Sequence, residues 1–209
     1  MAWRVLQSRA RRSRRAEPRP LRRRHGGGAL AIWADARESE QAGAADIYAA
    51  LLRGTDAARV APEAAIQKTR AHSFAPVARA HGAGAVVAWL EAAADNAQGE
   101  PAHLSLAQVD ETGRLLGGVQ TVALGSGTPV TVGFDCAEAV CHAIVAVDEN
   151  AHGQLYAVSY ENGKASQAVR IRSSMSAPSS VAPVVHGRDV YVADAQQGVA
   201  HVRRLRLDW

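Results

Sequence analysis

The stretch His25-Gly-Gly-Gly-Ala-Leu-Ala-Ile-Trp33-Ala-Asp35 returns 56 residues later as His81-Gly-Ala-Gly-Ala-Val-Val-Ala-Trp89-Leu-Glu91. Each copy opens on a His-Gly turn, runs through Ala, Val and Ile, and closes on a Trp two places before an acid. A proline precedes both, Pro20 and Pro76, and two drifted copies follow. Pro129-Val130 leads into Cys141-His-Ala-Ile-Val-Ala-Val-Asp148, and Pro183-Val-Val-His186 leads into Asp189-Val-Tyr-Val-Ala-Asp194. The prolines stand 56, 53 and 54 residues apart. Self-similarity at a fixed period is the mark of a repeat architecture, in which each unit buries its faces against its neighbours.

Each unit reads as four short strands. The first follows the proline (Val77–Ala80, Val130–Phe134, Val184–His186) and a turn leads to the second (Ala29–Ala34, Ala85–Leu90, His142–Val147, Val190–Ala193). The second strands are near-continuous apolar runs, as in strands covered on both faces. Third strands are expected at Asp46–Leu52, His103–Asp110, Leu155–Glu161 and His201–Leu207, and fourth strands at Val119–Leu124 and Ala168–Arg172. Asp110-Glu-Thr-Gly113 and Glu161-Asn-Gly-Lys164 carry the residues that hairpin turns demand. Little helix is expected, though Ala61–Thr69, where Pro62-Glu-Ala-Ala-Ile is Ala-rich, could form a short helical stretch. Ser173–Ser180 reads as a polar linker.

Four antiparallel strands per repeat of about 54 residues predict an all-β fold, a β-propeller of about four four-stranded blades. The units fall at 18–73, 74–126, 127–180 and 181–209, behind a disordered basic leader at 1–17. A β-sandwich is the alternative, though it needs no recurring proline. The fourth unit stops after its third strand, so an incomplete, open ring is expected. Ala2–Gln7 could supply the missing strand, but the Arg-rich stretch behind it weighs against closure.

Charge is unevenly placed. Residues 1–24 hold ten Arg against Glu17 alone, while the remainder carries 14 basic and 19 acidic residues. A basic tail on an acidic body argues against nucleic-acid binding by a folded face. No run approaches the roughly 18 apolar residues of a membrane-spanning helix. Ala2–Leu6 is also shorter than the apolar segment a secretory signal needs.

Trp33-Ala-Asp-Ala-Arg37, followed by Ala45-Asp-Ile-Tyr-Ala49, resembles the blades of bacterial TolB-like and sialidase-like propellers. Those blades carry Trp-x-Asp-x-Arg and then Asp-Ile-Tyr opening the next strand. Trp89-Leu-Glu91 and Leu155-Tyr156 are what the other units retain of it. The Ser-x-Asp-x-Gly-x-Thr-Trp turn of sialidase-type blades does not occur. The resemblance implies a fold rather than a chemistry.

An acid closes the second strand of every unit: Asp35, Glu91, Asp148 and Asp194. They could form a ligand-binding rim for cations or a basic partner, or they could simply accept backbone N–H bonds in the turns. His25, His81 and His186 recur at the opposite end, where His-Gly reads as a polar turn and not as a metal site. Cys136 and Cys141 bracket a four-residue loop and are expected to form a disulfide stapling the hairpin. Such a bond favours an oxidising location, extracellular, periplasmic or envelope-associated. No catalytic residue, metal or cofactor is expected, because Walker, His-Glu-x-x-His, Gly-x-Ser-x-Gly and calcium-loop patterns do not occur. The expectation is therefore a non-catalytic binding or scaffold module for a protein, peptide or glycan, able to self-associate through open blade faces. The alternative is a piece of a propeller hydrolase whose catalytic residues lie elsewhere.

Overall fold

The computed structural model describes residues 29–37, 44–53, 58–59, 62–92, 101–150, 152–175, 182–187, 189–196 and 199–206. The Arg-rich leader, Ala2–Gln7, Pro20 and His25 lie outside the described residues. Every described element is a strand, and the strands form four consecutive antiparallel sheets. The first sheet holds β1 (Ala29–Asp35), β2 (Asp46–Arg53), β3 (Ala58–Arg59) and β4 (Ala64–Gln67). The second holds β5 (His72–His81), β6 (Gly84–Ala92), β7 (Pro101–Val109) and β8 (Leu115–Ser126). The third holds β9 (Thr128–Ala137), β10 (Val140–Glu149), β11 (His152–Glu161), β12 (Lys164–Ala165) and β13 (Val169–Met175). The fourth holds β14 (Ala182–His186), β15 (Asp189–Gln196) and β16 (Val199–Arg206).

Two local expectations are corrected. The described part of Ala61–Thr69, residues 62–69, holds no helix: β4 runs through it and pairs antiparallel with β2, Ala49 opposite Ala64. Helix propensity is a weak prior, and Ile66 decides the matter by burying its side chain beside Leu30, Ile47 and Trp89. Ser173–Met175 belong to β13, whose last residue pairs with Gly153, so the linker reading fails for those three. The two hairpin signals hold. Asn162 and Gly163 both take positive φ, 51° and 77°, between β11 and β12. The Asp110 carboxylate accepts from the backbone N–H groups of Thr112 at 2.8 Å and Arg114 at 3.0 Å.

The second strands explain the packing. Along β6 the side chains alternate, so Val86, Ala88 and Leu90 face the third sheet while Ala85, Val87 and Trp89 face the first. Along β10, Cys141, Ala143, Val145 and Val147 face the second sheet, and Ile144 and Ala146 face the fourth. Runs apolar on both faces are thus what a sheet between two others requires. Trp89 is 0 % exposed, and burying a side chain of that size stabilises by roughly 2–3 kcal/mol. Pro76 and Pro129 sit where a missing N–H does least harm. The β5–β6 register slips between Phe74 and Val77, around Pro76, and the β9–β10 register slips beside Pro129. Pro183 instead pairs in register with Val192, and its carbonyl lies against Gly133 of β9. A Cβ at Gly133 would stand 2.4 Å from that oxygen, so glycine permits the third and fourth sheets to meet.

Candidate functional site

Three hairpins connecting first and second strands share one backbone form. The first residue of each two-residue turn lies in the left-handed region: Gly82 at 58°, Glu138 at 55° and Gly187 at 58°. Counting from these residues gives a common register for the units. Three places before them stand Arg79, Asp135 and Val184; seven places after stand Trp89, Val145 and Asp194; nine places after stand Glu91, Val147 and Gln196.

That register separates the four predicted acids. Asp35 and Glu91 are equivalent, and both serve the Trp two residues earlier. Trp89 Nε1 donates to Glu91 Oε1 at 2.8 Å inside the core, and Trp33 Nε1 donates to Asp35 Oδ2 at 3.3 Å. Glu91 is only 6 % exposed. Asp35 also accepts from the Arg37 backbone N–H at 3.0 Å and from Arg37 Nε at 2.6 Å. Burial would raise the Asp35 carboxyl, but the Arg37 and Trp33 hydrogen bonds outweigh it and hold the group below its ordinary value. Arg37 in turn reaches Glu63 and lies 5.4 Å over the Tyr48 ring, itself stacked on Trp33. Asp148 falls one place later than Glu91, and its buried Oδ1 accepts no hydrogen bond among the described residues. Asp194 falls two places earlier in β15, and its side chain lies outside the described residues. The carboxylates of Asp35 and Glu91 are therefore already engaged inside the chain.

The turn end, about nine residues or 30 Å along the second strands, assembles a different set. Arg79 Nε donates to Asp135 Oδ1 at 3.2 Å, joining the second sheet to the third. The other oxygen of Asp135 accepts from the Gly187 backbone N–H at 3.4 Å and faces His186 Nδ1 at 3.7 Å, joining the third sheet to the fourth. One carboxylate thus spans three sheets.

Beside it lies the hairpin staple. Cys136 and Cys141 oppose one another directly in the β9–β10 register and form a disulfide, as expected. The bond is compatible with an oxidising compartment. Cys141 is buried and Cys136 partly exposed. His81, which was expected only as a turn residue, comes from the second sheet to place Nδ1 3.9 Å from Cys141 Sγ. His81 Nδ1 and the two sulfurs all lie within 4.8 Å of one another. His186, at the equivalent place of the fourth sheet, meets Asp135 and not a sulfur. On the outer strands an open groove of about 460 Å³ runs between β8 and the β12–β13 segment, lined by Thr121, Val122, Ser166 and Gln167.

The fourth sheet presents a contrasting surface. Val184 and Tyr191 are cross-strand partners, and Val202 lies opposite Ala193 on the same face. Val184 is 58 %, Tyr191 36 % and Val202 69 % exposed. On the outward face of the first sheet Trp33, Tyr48 and Leu52 are all buried. No family model and no curated protein matches the chain. No described helix is long and apolar enough to cross a membrane.

Proposed function

We propose that the chain is a non-catalytic binding or scaffold module of the propeller type, and that its assembly surface is the outward face of the fourth sheet. Four successive meanders packed face to face, with β9 beside both β5 and β14, support the propeller reading. The observation that carries the assembly surface is the register of Tyr191 and Ala193. They stand four and six places after Gly187, as Val86 and Ala88 stand after Gly82. Val86 and Ala88 are among the residues with which the second sheet meets the third. The fourth sheet thus repeats an adhesive face and leaves it open, whereas the carboxylates of Asp35 and Glu91 are spent within the chain.

The occupant we assign is a second copy of the chain, seated through the same face. A head-to-tail contact would need the outward face of the first sheet, where Trp33, Tyr48 and Leu52 are buried and not exposed as Val184 and Val202 are. A contact of the face with itself closes as a two-fold dimer. Sedimentation velocity over a range of concentrations tests this on the disulfide-intact chain. A reversible dimer is expected, and Val184→Glu or Val202→Glu, both at exposed positions, should return it to monomer. A wild-type chain that stays monomeric throughout, or a dimer indifferent to both substitutions, overturns the assignment.

A further inference from the structure

We propose that the hairpin staple conceals a redox-gated metal site: reduction of Cys136–Cys141 frees two thiolates that, with His81, bind a thiophilic divalent ion such as zinc. Zinc takes sulfur at about 2.3 Å and imidazole nitrogen at about 2.0–2.1 Å, so two ligands on a tetrahedral ion stand about 3.5–4 Å apart. His81 Nδ1 is already 3.9 Å from Cys141 Sγ, and all three ligand atoms fit within 4.8 Å. The cysteines are held opposite each other by the β9–β10 ladder, and His81 is held by the packing of β5 against β9. The third ligand is thus preorganised by tertiary structure, and only the side-chain torsions of the cysteines must change. While the disulfide stands, neither sulfur is a thiolate and the set has one good ligand. Reduction supplies the other two.

The chemistry balances with a dithiol as reductant. Its thiolate attacks the sulfur of Cys136, the more exposed of the pair, and the S–S bond breaks with Cys141 leaving as thiolate. The second thiol of the reductant then displaces Cys136 and the reductant departs as its cyclic disulfide. Two electrons pass to the protein. The incoming M²⁺ displaces one proton from each cysteine thiol, giving a neutral bis-thiolate complex completed by His81. His81 and Cys136 are only partly buried, which leaves a fourth position open to water or an exchangeable ligand.

The test titrates the full chain with Co²⁺ anaerobically, before and after reduction by a phosphine that is then removed. The reduced chain should bind one equivalent with thiolate-to-cobalt charge-transfer absorption, which Zn²⁺ then bleaches. The oxidised chain should show none. His81→Ala should weaken binding at least tenfold, and Cys141→Ser should abolish the charge-transfer band. Far-ultraviolet circular dichroism follows the fold throughout. Absence of the band in the reduced, folded chain overturns the proposal, as does a His81→Ala variant that titrates like wild type. Loss of the sheets on reduction also overturns it, because only sheet packing brings His81 to the sulfurs.

Discussion

Glu138 occupies the backbone position that Gly82 occupies in the preceding unit, with φ of 55° against 58°. A residue with a Cβ incurs roughly 1–2 kcal/mol in the left-handed region, where glycine is unstrained. Part of that difference is offset by the greater freedom glycine has in the unfolded chain. Glu138→Gly is therefore expected to stabilise the disulfide-bonded protein by about 0.5–1 kcal/mol. Gly82→Ala should destabilise it, through φ alone, since a Cβ there would meet nothing within 4 Å. Urea unfolding of the two variants checks both signs, and a destabilised Glu138→Gly would show that the Glu138 side chain makes a compensating contact.

The second prediction concerns alkali. The Tyr156 hydroxyl donates to the Glu149 carboxylate, which also faces Arg170 at 3.5 Å. Burial, and then this hydrogen bond to a carboxylate, push the Tyr156 phenol up from 10.0 to about 12. A group whose pKa is higher folded than unfolded stabilises below its unfolded value, and that stability is lost as pH rises through the folded value. The protein should thus lose stability between about pH 10 and 12. Tyr156→Phe should flatten that loss, seen as a smaller shift of the urea midpoint across the window. An unchanged slope in the variant would assign the loss to other groups.

The strands were legible because Ala and Val runs alternate with turn residues at a fixed period, and the staple because its cysteines flank one tight turn. What crosses between sheets was not legible from local spacing. Arg79 and Asp135 lie 56 residues apart, and His81 and Cys141 lie 60 apart. The signal was present nonetheless: Arg79 and Asp135 sit at the same offset from successive turns, so opposite charges one period apart face each other. Glu138 hid that register by standing where a glycine would have marked it. For the same reason Asp148 reads as an equivalent of Glu91 when it falls one place late; Asp194, two places early, reads so because it is the acid that ends an apolar run, although Gly187 marks its turn. The Ala-rich β4 was misread because Ile66, its one large apolar residue, reveals its burial only in the packed structure.

The third prediction separates the acceptor from the charge at Glu91. Trp89 Nε1 is buried and donates to this side chain alone among the hydrogen bonds described for it. Glu91→Ala strands a donor in the core, which costs about 1–3 kcal/mol. Glu91→Gln keeps an acceptor oxygen of the same reach and should cost less than about half of that. Asp35→Ala should cost less than Glu91→Ala, because its bond to Trp33 is longer and its surroundings more exposed. Equal losses for Glu91→Ala and Glu91→Gln would mean that the charge, and not the hydrogen bond, holds Trp89.

The last prediction asks what fastens the fourth sheet. Apolar contact with the third runs through Ile144, Ala146, Leu155 and Ala157 against Val185, Val190 and Val192. Two further features act at the seam: the Gly133–Pro183 approach and the Asp135 bridge to Gly187 and His186. They differ in kind. Asp135 and its partners are partly or largely exposed, so water can replace what is lost, and Asp135→Ala should cost no more than about 1 kcal/mol. Gly133→Ala drives a Cβ into a backbone oxygen that cannot move without lifting β14, and overpacking of that sort costs typically 1–3 kcal/mol. Local opening should then precede global unfolding, since the described buried residues of the fourth sheet cluster with those of the third alone and an end sheet can come away as a unit. In native-state hydrogen exchange, Gly133→Ala should raise the rates of β14–β16 amides well above those of β6 and β7. Asp135→Ala should raise them only slightly. Uniform acceleration across all four sheets in Gly133→Ala would show instead that the fourth sheet is an inseparable part of one cooperative unit.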